Sequence, residues 1–222
     1  MEKISVKKQF NQTLVLLAVI IPFLSMTAAP ITGEHMTNTI GMELTQMPTG
    51  YWVGTYPVTQ QQYSKMNEEN PSRWKGENHP AENVDWDDAV AFCKKLTAAD
   101  LKAGKISHGW QYQLPTQEQW EYFAAGAQVD DMVYGRWDGL QPLGTQPVGS
   151  LGPNPFGLFD VLGNVWEWCE DWWGANRIEK VLKGGAWDLV ATEIDDLISS
   201  KPLSAAVARD GNVGFRVILI QK

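Results

Sequence analysis

Cysteine, histidine and positive charge are all scarce in this chain. Its 222 residues include two cysteines and three histidines, and 26 acidic residues outnumber 18 basic ones, for a formal charge of −8. This acidic balance argues against nucleic acid as a partner, because binding to phosphates depends on lysine and arginine. The histidines, His35, His79 and His108, are far apart and lack the spacing of a zinc site. We interpret them as surface side chains.

The two cysteines leave two interpretations open. An exported protein can form a disulfide, but two cysteines far apart in sequence do not establish one. Cys93 occupies an apolar position of a predicted helix, and Cys169 lies in a stretch rich in tryptophan. Two buried thiols therefore account for the pattern as well as a bridge does.

A long apolar run, residues 13–26, lies close to the N-terminus. Three lysines precede it and small residues follow it, which is the pattern of a secretory signal. We predict a cleaved signal peptide over residues 1–29, a flexible lead-in over residues 30–40 and a single domain over residues 41–222. No cysteine lies near the cut, so a lipid anchor is not expected, and uncleaved anchoring is the alternative. Cleavage would leave a secreted or periplasmic protein with no membrane span.

Beyond residue 40, short helical and strand patterns alternate with irregular connections. Thr59 and Thr116 are each followed three residues later by glutamine, and these capping boxes predict helix starts. Asp85 predicts a third helix start, after which apolar residues recur at helical spacing. Strands are predicted over residues 51–58, 110–114, 181–187 and 213–219. The pattern predicts an α+β domain rich in loops.

The most informative stretch is residues 154–173, which read NPFGLFDVLGNVWEWCEDWW. Asp160 and Glu167 flank a Gly-Asn pair that favours a turn. A turn that directs carbonyl oxygens and two carboxylates at one point can bind Ca²⁺, which prefers several oxygen ligands. The alternative is two solvated acids, or carboxylates bound to backbone amides. We interpret the nearby tryptophans as packing residues of the core and of this turn: Trp166, Trp168, Trp172 and Trp173.

Six sequence segments along the chain are informative when taken together. They are YPVTQQQY (56–63), HPAENVDWDDAVAFCKKL (79–96), YQLPTQEQWEYFAAGA (112–127), the stretch over 154–173, VLKGGAWD (181–188) and NVGFRV (212–217). In this order they resemble the formylglycine-generating enzyme, or sulfatase-modifying factor, family over about residues 41–220. The resemblance implies a single loop-rich domain that is a variant of the C-type lectin fold, in agreement with the α+β pattern.

The chain departs from this family at its catalytic centre. The active members resemble each other in two cysteines shortly after a Gly-Gly-Ser block, and these bind copper and activate oxygen. The segment after Gly184 and Gly185 contains no cysteine here, and the two positions fall near Leu189 and Ile194. Neither side chain can bind copper, which prefers soft thiolate ligands. We therefore expect neither copper nor formylglycine generation.

The resemblance also implies a structural calcium site and a ligand cleft. The calcium ligands would be the side chains of Asp160 and Glu167 and the carbonyls of Gly163 and Val165. The cleft would begin near Trp187. Its candidate ligand residues are Trp187, Asp188, Glu193, Asp195 and Asp196.

Two interpretations of the acidic cleft residues remain open: a site for a cation or an amine-bearing ligand, and a solvated loop. Some surface proteins that resemble this family are diversified by retroelements. Residues 188–212 occupy the interval that varies in those proteins.

We predict an exported binding or accessory protein with a calcium-stiffened scaffold. Its partner would be a protein, peptide or small-molecule ligand at the C-terminal cleft, with no nucleic acid. One alternative is a periplasmic enzyme of the same family that works without the cysteines, as in siderophore maturation. Another is a residual protein-modifying oxidase. No nucleophile, cofactor motif or redox centre is visible in the sequence, which favours the binding role.

Overall fold

The computed structural model describes residues 33–128, 132, 144–189, 201–204 and 210–222. These residues form three helices and nine strands in two sheets. The helices are α1 (Gln60–Met66), α2 (Trp86–Lys102) and α3 (Gln117–Ala124). The strands are β1 (His35–Thr37), β2 (Glu43–Gln46), β3 (Trp52–Gly54), β4 (Trp110–Gln113), β5 (Trp166–Trp173), β6 (Glu179–Lys183), β7 (Lys201–Ser204), β8 (Val213–Gly214) and β9 (Ile218–Gln221). Short elements joined by long connections confirm the loop-rich α+β prediction.

The first sheet joins the two ends of the domain. Its strand order is β1-β2-β3-β9-β4, and every neighbouring pair is antiparallel. The last strand, β9, lies between β3 and β4, with Ile218 opposite Val53 and Leu219 opposite Tyr112. The C-terminal strand therefore pairs with strands from two earlier parts of the chain.

The second sheet carries most of the 154–173 stretch. Its order is β7-β6-β5-β8, with β5 antiparallel to β6 and parallel to β8. The β5–β6 register shifts between Trp168 and Trp172. A turn and a packing cluster were predicted here. Strand β5 was not predicted, because its apolar and polar residues do not alternate as they do in a half-buried strand.

All three predicted helix starts are confirmed. Thr59 and Thr116 each form a complete capping box with the glutamine three residues later. The Asp85 side chain accepts a hydrogen bond from the backbone N–H of Asp88 at the start of α2. These caps satisfy backbone N–H groups that have no partner inside the helix.

Two of the predicted segments differ from the structure. Strand β1 lies within residues 30–40, the expected lead-in, and its pairing with β2 extends the folded domain N-terminally of residue 41. The single strand predicted over residues 213–219 is divided into β8 and β9, which belong to different sheets. Phe215, Arg216 and Val217 connect them and are fully buried. Arg216 lies in this connection and is directed into the interior, where it forms an ion pair with Glu167.

The core consists of two clusters of buried side chains. One includes the apolar stripe of α2, and the other surrounds Trp120 and Phe123 of α3. The stripe predicted from the sequence is confirmed, and its members are Ala89, Phe92, Cys93 and Leu96. None of the helices in the described residues combines the length and the apolar character needed to cross a membrane.

Candidate functional site

A buried ion pair lies at the centre of the region that the sequence singled out. Arg216 and Glu167 have no exposed side-chain surface, and the Arg216 Nη2 lies 2.9 Å from the Glu167 Oε1. The Nε group of Arg216 also donates to the Glu167 carboxylate, at 3.0 Å and 3.3 Å from its two oxygens. This forked contact matches the planar guanidinium to the carboxylate.

Arg216 also donates to backbone carbonyls of two further segments. Nη1 donates to the carbonyls of Gly54 and Thr55, and Nη2 donates to the carbonyl of Phe159. Burial raises the pKa of Glu167, while Arg216 and the indole of Trp120 oppose that rise. Trp120 donates to Glu167 Oε2 over 2.7 Å. Glu167 was predicted from the sequence, but its partners Arg216 and Trp120 were not.

Asp160 lies on a turn of unusual backbone conformation. Its φ angle is 50°, and Gly163 and Asn164 follow with φ of 78° and 61°. The Asp160 carboxylate is buried and accepts a hydrogen bond from the backbone N–H of Gly149 at 2.7 Å. Burial raises its pKa to about 6. Glu167 is close enough to raise this pKa further, and Arg216 lowers it.

The turn is bonded directly to the residues that precede the predicted cleft. The N–H of Gly163 donates to the Gly184 carbonyl at 2.8 Å, and the N–H of Trp187 donates to the Asn164 carbonyl at 3.1 Å. The Asn164 side chain exchanges two hydrogen bonds with the backbone of Gln146. The conformation of the turn therefore supports the position of Trp187.

The predicted calcium ligands fit a hard cation unequally. Asp160 supplies a buried carboxylate with no cation in direct contact among the described side chains, whereas both oxygens of Glu167 already accept hydrogen bonds. The Gly163 carbonyl accepts a hydrogen bond from the N–H of Val165. The described residues contain no group of three or more His, Cys, Asp or Glu side chains arranged for a metal. Calcium here would rely on backbone carbonyls and would share Glu167 with Arg216.

The two thiols lie apart from the predicted cleft. Cys93 is on α2 and Cys169 is on β5, and both are free and buried. Burial raises the pKa of each thiol, and nearby carboxylates raise it further. Protonated thiols are poor nucleophiles and poor metal ligands. The structure therefore supports the interpretation of two buried thiols and not that of a disulfide.

The tryptophans of the 154–173 stretch separate into two groups. Trp166 and Trp168 are buried in the core, as predicted. Trp172 and Trp173 are 39% and 38% exposed, so the packing interpretation is wrong for them as core residues. The Lys180 ammonium lies 3.8 Å from the centroid of Trp172 and 3.8 Å from that of Trp86. These cation–π contacts hold the hairpin between β5 and β6 against α2.

The predicted cleft contains Trp187 and Asp188 at the end of the segment that follows β6. The Trp187 indole donates to the Gly211 carbonyl at 3.1 Å, and the Asn212 amide donates to Asp188 at 2.8 Å. Trp187 is half-buried, and Asp188 is exposed. The other candidates, Glu193, Asp195 and Asp196, lie outside the described residues.

The structure adds two side chains that the sequence analysis did not identify. The ring of Trp74 meets Trp187 edge to face, with 5.3 Å between centroids. Glu82 is completely buried behind Trp74, and its Oε1 accepts a hydrogen bond from the Trp74 N–H at 2.8 Å. Burial raises the pKa of this carboxyl group. Glu82 stands between Ala81 and Asn83 in a block quoted for the resemblance, where nothing local signalled a buried acid.

Comparison with known proteins identifies one family over most of the chain. A family model described as sulfatase-modifying factor enzyme 1-like domain matches residues 19–220. The chain is 30% identical to the chaperone protein LppX of Paenibacillus barcinonensis, over 62% of this chain and 69% of that protein. It is 38% identical to a formylglycine-generating enzyme of Thermomonospora curvata, over 45% of this chain and 35% of that enzyme.

A solved structure has the same fold. Treponema denticola variable protein 1 is 24% identical, with a TM-score of 0.63, over 86% of this chain and 92% of that chain. This similarity shows a common fold over most of both chains. The match to the Thermomonospora enzyme, by contrast, leaves about two thirds of that longer relative uncovered.

Proposed function

This chain belongs to the sulfatase-modifying factor enzyme 1-like family, and we propose that it is an exported binding or accessory protein without formylglycine-generating activity. The fold is the loop-rich α+β domain that this family shares with the structural relatives. Residues 1–29 would direct export to the periplasm or the cell exterior. The ligand would be a protein, a peptide or a small molecule that binds at the cleft beside Trp187.

The placement of the thiols carries this proposal. The cysteines of the chain are Cys93 and Cys169 alone. Both are buried outside the cleft, and the pKa of each thiol is raised. Activation of oxygen by copper in this family needs thiolates at the cleft, and the described cleft residues offer indoles, carboxylates and amides instead. Such groups suit binding by hydrogen bonds.

The support of Trp187 by the 160–164 turn favours a rigid binding site. Backbone hydrogen bonds connect this turn to Gly184 and Trp187, so any ion that stiffens the turn would also stiffen the cleft. We propose calcium for this role, held by Asp160, Gly163, Val165 and Glu167. Calcium would supply positive charge and several coordination positions for oxygen. Pre-organised sites lose less entropy on binding.

Two of the three relatives described above have names that agree with an accessory role, and the third is the Thermomonospora formylglycine-generating enzyme. The Paenibacillus relative is named a chaperone protein, and the Treponema structure is named a variable protein. Neither name describes an oxidation. These names support a proposal of binding without specifying the ligand.

The deciding experiment measures oxygen consumption by the purified protein with copper and a peptide that carries the cysteine of a sulfatase motif. We expect no copper-dependent oxygen uptake and no change in peptide mass. Uptake with loss of the peptide thiol would overturn the proposal. The matched control is the Cys93→Ala, Cys169→Ala double variant: activity that disappears in it would assign oxidation to these buried thiols, and activity that persists would identify a centre without cysteine.

A further inference from the structure

Three buried polar atoms near the cleft have no hydrogen-bond partner. Within the described part of the chain they are the indole Nε1 of Trp74, the Oε2 of Glu82 and the Oδ1 of Asn212. Buried polar groups are nearly always paired, because an unpaired one costs about 1–3 kcal/mol. All three atoms border the segment over residues 210–212, which also contacts Trp187 and Asp188. Two of these atoms, on Trp74 and Glu82, flank Gly211, and no group among the described residues pairs with them.

Gly211 defines the space between two of these atoms. A Cβ atom at this position would lie 3.4 Å from the Trp74 Nε1 and 3.6 Å from the Glu82 Oε2. It would also lie 3.3 Å from the Arg73 Cδ. A glycine therefore keeps one donor and one acceptor facing a space of about the size of a single heavy atom.

The complementary group for this space is a hydroxyl. Its oxygen can accept from the indole N–H of Trp74 and donate its hydrogen to Glu82. A carbonyl oxygen cannot donate to the carboxylate. An ammonium nitrogen has only donors and would oppose the indole N–H. A ligand hydroxyl satisfies both atoms at once, as a single ordered water would, so the probes below must distinguish the two.

The surrounding charges and rings favour a neutral ligand. Arg73 and Lys75 already oppose the negative charge of Glu82, so the site does not require a cation. Asn212 adds an unpaired acceptor, which a second hydroxyl would satisfy. Trp187 is half-buried and presents aromatic surface beside these polar atoms, whereas the Trp74 ring already lies against Gly144 and under the Arg73 guanidinium, 4.9 Å from its centroid. Aromatic surface next to several hydrogen-bond acceptors suits a molecule with both C–H faces and hydroxyls.

We propose that Trp74, Glu82 and Asn212 form a recognition site for a neutral polyhydroxylated ligand, a saccharide, in the cleft beside Trp187. The proposal rests on the binding function proposed above and names the ligand class. None of its residues is a predicted calcium ligand, so binding does not need the ion to contact the saccharide.

Entry of the ligand requires a small shift of the 210–212 segment. The unpaired atoms are out of contact with solvent, and Gly211 lies against those of Trp74 and Glu82. The segment is held by the bond from Trp187 to the Gly211 carbonyl and by the bond from Asn212 to Asp188. A ligand that pairs the buried atoms compensates for the hydrogen bonds that this shift breaks. On ligand binding, the indole N–H of Trp74 would change from unpaired to hydrogen-bonded, so its resonance measures binding directly.

The test is a titration followed by the ¹⁵N–¹H resonances of the tryptophan indoles. The probes are the methyl glycosides of glucose, galactose and mannose and N-acetylglucosamine, with ethanolamine and butylamine as cationic probes. We expect at least one saccharide to move the Trp74 indole resonance, which is assigned by Trp74→Phe. The Glu82→Gln variant should bind that saccharide with an affinity at least tenfold lower. A response to the amines with none to the saccharides would overturn the proposal, as would no response to any probe.

Two variants of Gly211 provide a matched pair, and their thermal midpoints give a readout that does not depend on the probes. Gly211→Ala and Gly211→Ser both fill the space and should abolish saccharide binding. Only the serine hydroxyl can pair with Trp74 and Glu82, so Gly211→Ser should have the higher thermal midpoint of the two. Equal midpoints, or binding retained in Gly211→Ala, would contradict the assignment of the space.

The outcome is separable from that of the oxygen assay. Copper-dependent oxidation would refute the proposed function whether or not saccharides bind. Absence of oxidation together with absence of saccharide binding would refute only the ligand class.

Discussion

Arg216 is completely buried, yet it satisfies its charge and most of its donors within the protein. It pairs with Glu167, 49 positions away in sequence, and donates to carbonyls of two further segments. Removing either charge leaves the other one buried without compensation, which is much more costly than losing an exposed pair. The ion pair is therefore a strong local constraint on how β5, β3 and the 215–217 connection meet.

We predict that Glu167→Gln and Arg216→Met each lower the free energy of unfolding by about 3–5 kcal/mol. The double variant should lose less than the sum of the two single losses, by more than about 1 kcal/mol, because neither partner is then left as an unpaired charge. Urea denaturation of the four proteins gives these values. Additivity within about 0.5 kcal/mol would mean that the two side chains act independently.

The helices show how much of the fold could be predicted locally. Each capping box lies within four consecutive residues, so the sequence contains the whole interaction, and all three helix starts are as predicted. Strand β5 was missed because its pairing with β6 and β8 involves distant segments. The 213–219 segment was predicted as one strand because its apolar residues are continuous, and only the partner of Arg216 shows why it is divided.

We predict that Thr116→Ala lowers the free energy of unfolding by about 1 kcal/mol, because α3 loses the hydroxyl that caps it. The cap also matters for the site, since α3 carries Trp120, which donates to Glu167. Thr116→Ser keeps the hydroxyl and is the control. Urea denaturation should place the serine variant within about 0.3 kcal/mol of the wild type. An alanine variant as stable as the serine variant would show that the cap contributes nothing.

At the scale of the whole molecule, the residues of the proposed cleft come from three segments that meet only in the folded chain. Trp74 and Glu82 come from the loop between α1 and α2, Trp187 follows β6, and Gly211 precedes β8. The resemblance led to Trp187 and Asp188 because they lie within a quoted block. It could not lead to the unpaired atom of Glu82, because pairing is a property of the folded surroundings and not of a motif.

Calcium binding is the prediction that concerns the stability of the whole domain. We expect added Ca²⁺ to raise the thermal midpoint, because an ion that binds only the folded state stabilises it. The gain is about 2.7 kcal/mol when calcium exceeds Kd 100-fold, or roughly 5–10 °C for a domain of this size. Differential scanning fluorimetry in EDTA and in calcium measures the shift.

The variant Asp160→Asn should remove most of the calcium-induced rise in thermal midpoint. It removes the buried carboxylate of the turn, which is not in direct contact with a cation among the described side chains. Glu68→Gln, at an exposed acid outside the turn, is the control and should keep the full shift. Protons compete with the ion, since burial raises the pKa of Asp160 to about 6. The calcium shift should therefore be smaller at pH 5 than at pH 7.5. Equal midpoints in EDTA and calcium for the wild type would refute the site, and would leave the Arg216–Glu167 pair as the feature that holds the turn against β5.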